Sequence, residues 1–339
     1  MKTSVFLGTL AAAGLAAGLA GAATLDDVKA KGFVQCGVST GVPGFAFTDA
    51  SGEWDGFDVA MCRGVAAAIF GDAKAIKFTP TTGKTRFTAL ASGEVDVLFR
   101  NTTWTFSRDT DLKFEFTGVN YYDGQGFLVP KALGVTSAKQ LDGATVCIQT
   151  GTTTELNLAD FFRANNIKYE PVPIETNAEA MQKYLAGACD AYTTDASGLA
   201  ASRATVENPA DHVILPEIIS KEPLGPLVRH GDSEWADIVR WTYNALLIAE
   251  ELGVTSQNVE KLASAPTDNP EINRLLGTEG EYGAMMGLPK DWAVNVIKSI
   301  GNYGEIYERT IGPDTPIGLA RGLNALWTQG GIQYAAPFR

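Results

Sequence analysis

Histidine and positive charge are both scarce in this 339-residue chain. There are two histidines, His212 and His230, which nearly excludes a histidine-rich metal site. Lys and Arg total 27 against 39 Asp and Glu, giving a formal net charge of -12. That balance disfavours nucleic acid as a partner, because binding to phosphates requires basic patches. Beyond the N-terminus, no apolar run reaches the roughly 20 residues needed to cross a bilayer.

The N-terminus carries the pattern of an export signal. Lys2 precedes an apolar stretch from Val5 to about Ala20, and Ala20-Gly21-Ala22 offers an A-x-A cleavage site. The alternative, a membrane anchor, fits less well because the stretch is rich in Ala and Gly and lacks a basic flank. We therefore expect residues 1–22 to be a cleaved signal peptide and the mature protein to reside in the periplasm.

The rest of the chain reads as two similar α/β halves. In each half, short apolar strands alternate with helices of three- and four-residue periodicity, a pattern typical of parallel sheets. Two extended segments, near 120–130 and 218–229, separate the halves. They predict a chain that leaves one domain, builds a second and returns. The expected domains are 23–120 with 230–339, and 121–229, with a small-molecule cleft between them.

Four cysteines form an even set in an exported chain, which favours disulfides over metal ligation. No C-x-x-C pair occurs, so neither a zinc site nor a redox centre is indicated. Of the three possible pairings we favour Cys36–Cys62 and Cys147–Cys189, because each pair then falls within one predicted domain.

A threonine-rich loop in the second half carries the strongest chemical signal. Gln149-Thr150-Gly151-Thr152-Thr153-Thr154-Glu155 links a strand to a helix and presents hydroxyls and backbone N–H groups at the helix N-terminus. Such a terminus binds anions, a ligand carboxylate for example. The alternative is that Thr152 and Glu155 only cap the helix. One cap accounts for one threonine but not for four.

Three further residue groups follow strands and complete a candidate site. Asn101-Thr102-Thr103 occupies the same relative position in the first half, and Arg108 offers a donor fork suited to a carboxylate. Asp195 ends a strand and is placed to pair a ligand ammonium. The alternatives are a solvated surface arginine and an aspartate that caps the following turn.

Taken together, these segments resemble periplasmic polar-amino-acid-binding proteins of ABC importers. The resemblance is closest to the general L-amino-acid-binding subclass, which includes glutamate/glutamine/aspartate/asparagine binders. It implies a type II, two-lobed periplasmic-binding-protein fold that closes about a hinge, and it covers nearly the whole mature chain. The matching segments are GEWDGFDVA, RFTALASGEVDVL, the NTT loop with Arg108, IQTGTTTEL, GACDAYTTD and PLGPLVRHGD.

The resemblance implies roles for individual residues. The α-carboxylate would be held by one lobe through an arginine and two polar side chains, and by the other lobe through two threonines. An aspartate would hold the α-ammonium. The residues are Arg108, Asn101 and Thr103, then Thr150 and Thr153, and finally Asp195.

Side-chain recognition is where the chain departs from strict acidic-ligand binders. Arg86 matches an arginine that such binders use against the side-chain carboxylate. Ser39 and Asn177 stand where they carry a further arginine and a histidine, and Val42 or small neighbours replace an aromatic lid of basic-ligand binders. Fewer cations should weaken the preference for an acid over its amide, so we expect a broad binder of Glu, Gln, Asp and Asn.

The sequence thus predicts a monomeric receptor that delivers L-amino acids to a membrane permease. It predicts no enzyme activity, no cofactor, no metal and no nucleic-acid partner. One alternative is a periplasmic enzyme on the same fold, such as a dehydratase of cyclic acids; another is a sensory binding module. Region 265–339 has no assigned role beyond extra helical packing on the first domain.

Overall fold

The computed structural model describes residues 23–339, so the predicted signal peptide lies outside the described residues. The helices are α1 (Thr24–Lys31), α2 (Phe57–Phe70), α3 (Arg86–Ala91), α4 (Phe106–Thr110), α5 (Thr153–Ala164), α6 (Asn177–Leu185), α7 (Ala196–Arg203), α8 (Ser233–Glu251), α9 (Val259–Ala263), α10 (Pro270–Leu275), α11 (Trp292–Ile300) and α12 (Tyr303–Thr310). The strands are β1 (Val34–Ser39), β2 (Phe47–Thr48), β3 (Trp54–Asp55), β4 (Ile76–Thr81), β5 (Val97–Leu98), β6 (Phe114–Phe116), β7 (Tyr121–Asp123), β8 (Gln125–Pro130), β9 (Ala144–Gln149), β10 (Tyr169–Ile174), β11 (Ala191–Asp195), β12 (His212–Ile214), β13 (Glu222–Leu224) and β14 (Leu227–Arg229).

Two five-stranded sheets organise the chain. The first has the order β4-β1-β5-β14-β6, with β1 parallel to both β4 and β5. The second has the order β10-β9-β11-β8-β12, with β9 parallel to β10 and β11. Helices flank both sheets, as the alternating sequence pattern predicts. In such open α/β sheets, ligands bind beyond the carboxyl ends of the strands.

A short antiparallel ribbon joins the two sheets. In it β7 pairs with β13, so that Tyr121 lies opposite Leu224 and Asp123 opposite Glu222. Both strands belong to the extended segments of the sequence, and each continues into a sheet, β7 towards β8 and β13 towards β14. The ribbon is therefore the place where the chain crosses between the two sheets.

The C-terminal helices share one core with the first sheet. Trp235, Trp292 and Tyr303 are buried in the same cluster as Val34 of β1 and the apolar face of α2. Burying an aromatic side chain of this size stabilises a fold by about 2–3 kcal/mol. The region after residue 265 is thus integral to the packing around the first sheet.

Two disulfides fasten helices or loops to strands. Cys36 of β1 bonds Cys62 of α2, with 6.2 Å between their Cα atoms. Cys147 of β9 bonds Cys189, which precedes β11, with 5.6 Å between Cα atoms. Both predicted pairings are confirmed. Loop closures of this size stabilise a fold by roughly 3–4 kcal/mol each in the chain-entropy model.

Candidate functional site

A polar cavity lies between the carboxyl ends of the two sheets. From the first sheet it receives the start of α3 and the loop after β5, and from the second sheet the β9–α5 loop and the starts of α6 and α7. Its lining is dominated by hydroxyl, amide and charged groups. The lining residues are Val42, Arg86, Arg100, Asn101, Thr103, Gln149, Thr152, Thr153, Thr154, Asn177, Thr194, Asp195, Ser197 and Gly198.

Six of the nine ligand-binding residues predicted from the sequence line this cavity. They come from both sheets although they are far apart in the chain, because the crossing ribbon brings the two strand edges face to face. The six are Arg86, Asn101, Thr103, Thr153, Asn177 and Asp195.

The other three predicted residues do not line the cavity. The Ser39 hydroxyl is fully buried and donates to the carbonyl of Ala46 (3.4 Å). The Thr150 hydroxyl donates to the carbonyl of Ile174 (3.3 Å). Arg108 lies behind the wall: its Nη1 donates to the Thr103 carbonyl (2.9 Å). This bond links Arg108 to Thr103, which lines the cavity.

Arg86 begins α3 and is 2% exposed. Its Nη1 donates to the carbonyls of Arg100 and Asn101, both at 3.4 Å, and its Nη2 donates to the carbonyl of Gly151 across the cavity (3.4 Å). Burial, with the nearby charges of Arg100 and Arg108, holds the pKa of Arg86 well below its ordinary value. Its Nε is buried without a hydrogen-bond partner in residues 23–339.

Arg100 is a cavity residue that the sequence reasoning missed. It is 5% exposed, and its Nε donates to the carbonyl of Thr81 (3.2 Å). Burial lowers the pKa of Arg100 to about 10, so the guanidinium stays charged at neutral pH. The sequence could have indicated Arg100, because this residue follows the end of β5. The carboxyl ends of parallel strands form the edge of the sheet where ligands bind.

Asp195 is the acidic residue of the cavity wall. It stands at the end of β11, directly before α7, and makes no side-chain capping bond to that helix. The alternative role of a capping aspartate is therefore not observed. Burial raises the pKa of the Asp195 carboxyl well above its ordinary value, and the charges of Asp123 and Glu222 raise it further.

The threonines of the β9–α5 loop have two roles: one caps helix α5 and another faces the first sheet. The Thr152 side chain accepts the Glu155 N–H at 3.3 Å, so it caps α5 as the alternative interpretation expected. The hydroxyl of Thr153 turns the other way and lies 3.2 Å from that of Thr103. One loop thus holds both a helix cap and a bridge to the first sheet.

Glu222 is a second residue that the sequence reasoning missed. It lies on β13 of the crossing ribbon and is 1% exposed. Its Oε2 accepts from Thr103 (2.5 Å) and Thr153 (2.9 Å), and its Oε1 accepts from Asn157 and Ser220, both at 2.6 Å. The carboxylate therefore joins the ribbon to loops from both sheets. Nothing in the sequence around it distinguishes this glutamate from a surface one.

Residues 23–339 contain neither a candidate metal-binding cluster nor a candidate membrane-spanning helix. No group of three or more His, Cys, Asp or Glu side chains in this part of the chain is arranged to hold a metal ion. Within the same range, no helix has the length and apolar character required to cross a membrane.

Comparisons with known proteins identify the family of the chain. Residues 34–258 match the model of "Bacterial extracellular solute-binding proteins, family 3". The chain is 65% identical over 339 residues to the glutamate/glutamine/aspartate/asparagine-binding protein BztA of Rhodobacter capsulatus, covering 100% of both chains. It is 59% identical over 343 residues to the general L-amino acid-binding periplasmic protein AapJ of Rhizobium johnstonii, again covering 100% of both.

A solved structure is similar over almost the entire length. It is an ABC transporter periplasmic binding protein from Brucella ovis with glutathione bound. The identity is 60%, the TM-score is 0.91, and the match covers 94% of this chain and 100% of the other. The relatives are binding proteins of transporters, so the comparisons do not favour the enzyme alternative.

Proposed function

Because the chain belongs to family 3 of the bacterial extracellular solute-binding proteins, we propose that it captures L-amino acids in the periplasm for an ABC importer. Glu, Gln, Asp and Asn are the proposed ligands, as the name of the Rhodobacter relative suggests. The protein acts as a monomer that binds no nucleic acid and hands its ligand to the membrane permease. Residues 1–22 direct its export.

One observation carries the proposal: arginines and an aspartate line one cavity, and several of its lining residues have buried polar atoms without hydrogen-bond partners. Arg86 Nε, Arg100 Nη2 and Asn101 Oδ1 are buried without hydrogen-bond partners within the described part of the chain. Asp195 lines the same cavity. Unpaired buried polar groups are costly unless a ligand satisfies them, and an amino acid brings both a carboxylate and an ammonium.

The ligand's α-carboxylate is proposed to bind Asn101, Thr103 and Thr153, and its α-ammonium to bind Asp195. All four line the cavity, which supports these roles. For Arg108 and Thr150 a direct contact with the carboxylate stays a prediction, since both bond to protein carbonyls instead. Side-chain recognition is proposed for Arg86 and Asn177. Ser39 lies behind the wall, so its contact also stays a prediction.

Ligand capture is proposed to close two lobes about the β7–β13 ribbon. The lobes are 23–120 with 230–339, and 121–229, with crossings near 120–130 and 218–229. Bonds across the cavity support a closing motion: Arg86 reaches Gly151 (3.4 Å) and Thr103 meets Thr153 (3.2 Å). An exposed pair, Lys84 and Glu175, adds a contact at 3.2 Å.

Glutathione is a second candidate ligand, because the Brucella ovis neighbour at 60% identity holds it. Its γ-glutamyl group presents the same α-carboxylate and α-ammonium as free glutamate. The same cavity groups would therefore bind that end of the molecule.

Calorimetry on ligand-stripped protein tests the proposal, with Glu, Gln, Asp, Asn and glutathione as ligands. An acid and its amide should bind within about tenfold of each other, a difference of roughly 1.4 kcal/mol. Asp195→Asn should lower the affinity for every ligand by about a hundredfold, because it removes the partner of the α-ammonium. No heat with any of these ligands would refute the assignment.

A further inference from the structure

Two arginines, Arg86 and Arg100, line the cavity. We propose that Arg100, together with Arg86, binds the side-chain carboxylate or carboxamide of the amino acid and so determines selectivity for Glu, Gln, Asp and Asn. The inference rests on the proposed function and identifies the chemistry of its ligand. It names a specificity-determining residue that the sequence reasoning did not include among the site residues.

Arg100 is held by one end and free at the other. Its Nε donates to the carbonyl of Thr81 at the end of β4 (3.2 Å), which anchors one edge of the guanidinium. Its Nη2 is buried and has no hydrogen-bond partner in residues 23–339. A guanidinium with one end anchored and one end free is preorganised for an acceptor in the cavity.

Arg86, which lines the same cavity, has a second unpaired donor. Its Nη1 and Nη2 are occupied by protein carbonyls, whereas its Nε is unpaired and buried. Two like charges placed together in a buried site repel each other, and here burial and mutual repulsion lower the pKa of Arg86. A ligand carboxylate between Arg86 and Arg100 would relieve that repulsion and receive a hydrogen bond from each.

Two carboxylates attract the charge of Arg100, but neither makes a hydrogen bond to its Nη2 within residues 23–339. Asp58 and Asp195 both attract the Arg100 charge. Asp58 Oδ1 accepts from Asn120 at 3.5 Å, and Asp195 is the proposed partner of the ligand ammonium. Neither supplies the missing partner of Arg100 Nη2, which leaves that donor for the ligand side chain.

Acid and amide side chains both suit this arrangement. A carboxylate offers acceptors to Arg86 and Arg100. A carboxamide offers one acceptor to the arginines and an N–H group to Asn101, whose Oδ1 is also buried and unpaired in the described residues. The same three groups therefore account for binding of both ligand classes.

The test compares ligands that share the α-amino-acid group but differ in the side chain. Affinities for L-glutamate, L-glutamine and L-norvaline are measured by calorimetry with the wild type and with Arg100→Met. The affinity of the variant should fall about a hundredfold for glutamate and about tenfold for glutamine. For norvaline, which has no polar side-chain group, it should fall less than about threefold. The matched control is Arg63→Met: Arg63 is half-buried, donates to the Trp54 carbonyl (2.8 Å) and lies outside the cavity. It should leave all three affinities unchanged.

An equal loss for all three ligands would overturn the proposal and make Arg100 a structural support. If Arg100→Met does not fold, Arg100→Lys replaces it and should keep part of the preference for glutamate over norvaline. A crystal structure of the wild type with glutamate decides independently: Arg100 Nη2 more than 3.5 Å from the ligand carboxylate would refute the contact. Failure of the wild type to bind any amino acid would instead refute the proposed function.

Discussion

At the scale of residues, the fold tolerates a cluster of buried arginines around the cavity because carboxylates of opposite charge lie near them. Arg108 illustrates this: burial lowers its pKa to about 10, while the charges of Glu222 and Asp195 act in the opposite direction. Arg86 and Arg100 likewise have Asp195 nearby. The nearby carboxylates thus act against the effect of burial on the pKa values of the three arginines.

Asp58 is a buried acid whose charge should cost stability at neutral pH. Burial raises its pKa to about 7, and its Oδ2 has no hydrogen-bond partner within residues 23–339. A folded-state pKa above the unfolded value favours folding at low pH, and that contribution is lost as pH rises through about 7. The free energy of unfolding should therefore fall between about pH 4 and pH 7, by up to roughly 1.4 kcal/mol per pH unit.

Asp58→Asn should flatten that decline, since the amide keeps the size of the side chain without its charge. Urea unfolding at several pH values measures it. Asp49→Asn is the control, because Asp49 is exposed and hydrogen bonds from Ser51 lower its pKa. The decline should persist in the control. An identical pH dependence in wild type and Asp58→Asn would contradict the prediction.

Individual site residues were predictable where several residues of one type occur together in a loop, or where a family motif contains them. Thr153 and Asp195 belong to conspicuous loops at strand ends, and both line the cavity. Arg100 stands alone beside a two-residue strand, and Glu222 acts through partners up to 119 residues distant. A single sequence does not show which distant side chains will meet, so these two emerge only from the fold.

At the scale of elements, the crossing ribbon also links the two sides of the cavity through the side chain of Glu222. The Glu222 carboxylate on β13 accepts hydrogen bonds from Thr103 and from Thr153 and Asn157 of α5. These groups come from opposite sides of the cavity, so the bonds can form together only when the two sides are close. Hydrogen bonds to a charged group contribute about 1.5–3 kcal/mol each. Glu222 should therefore stabilise the closed form.

Glu222→Gln should weaken binding of all ligands by about tenfold or more, with the ratio of glutamate to glutamine unchanged. An amide accepts at one end only, so some of the cross-cavity bonds are lost. Calorimetry with both ligands measures the effect. Glu175→Gln is the matched control: its bond to Lys84 also spans the cavity, but both side chains are more than half exposed. Exposed ion pairs contribute little, so affinity should stay unchanged. A change in the glutamate-to-glutamine ratio in Glu222→Gln would contradict the closure argument.

The long helices and buried strands were predictable to within a few residues. Helix α8 spans Ser233–Glu251 as its sequence pattern predicts, and α2 ends at Phe70 before Gly71, which adopts a positive φ of 68°. Helix α5 begins at Thr153, because Thr152 serves as its cap. The pairing of β7 with β13 was not predictable, since three-residue strands carry too little periodicity to fix a partner.

At the scale of the whole molecule, the disulfides stabilise each side of the cavity separately. Cys147–Cys189 joins β9 to the residues before β11, all within the second sheet and its surroundings. It therefore does not restrain the crossing ribbon.

Replacing both Cys147 and Cys189 by serine should lower the free energy of unfolding by about 2–4 kcal/mol while leaving ligand affinity within about twofold. Chemical unfolding and calorimetry on the same samples measure both quantities; a large loss of affinity would show that the second sheet transmits strain to the cavity.

The C-terminal region connects the core of the first sheet to the crossing ribbon. The buried side chain of Asn324 accepts the N–H of Tyr122 (2.7 Å) and donates to its carbonyl (3.1 Å), as a neighbouring strand would. The Tyr303 hydroxyl donates to the carbonyl of Asn120 (2.9 Å). Both residues lie beyond residue 258, where the family match ends. The region therefore holds β7 from one side, in addition to packing on α2.

Asn324→Ala distinguishes a hinge support from simple packing. Leaving the Tyr122 N–H and carbonyl unpaired costs roughly 1–3 kcal/mol for each buried group. In the proposed closing motion a loosened ribbon also loses more conformational freedom, so all ligands should bind about fivefold more weakly, with their ratios preserved. Asn165→Ala is the control, because Asn165 also donates to a backbone carbonyl, that of Phe161 (2.8 Å), but at the end of α5. If Asn324→Ala lowers the melting temperature as expected while affinities match the control, the C-terminal region only adds packing, and closure depends on β7 and β13 alone.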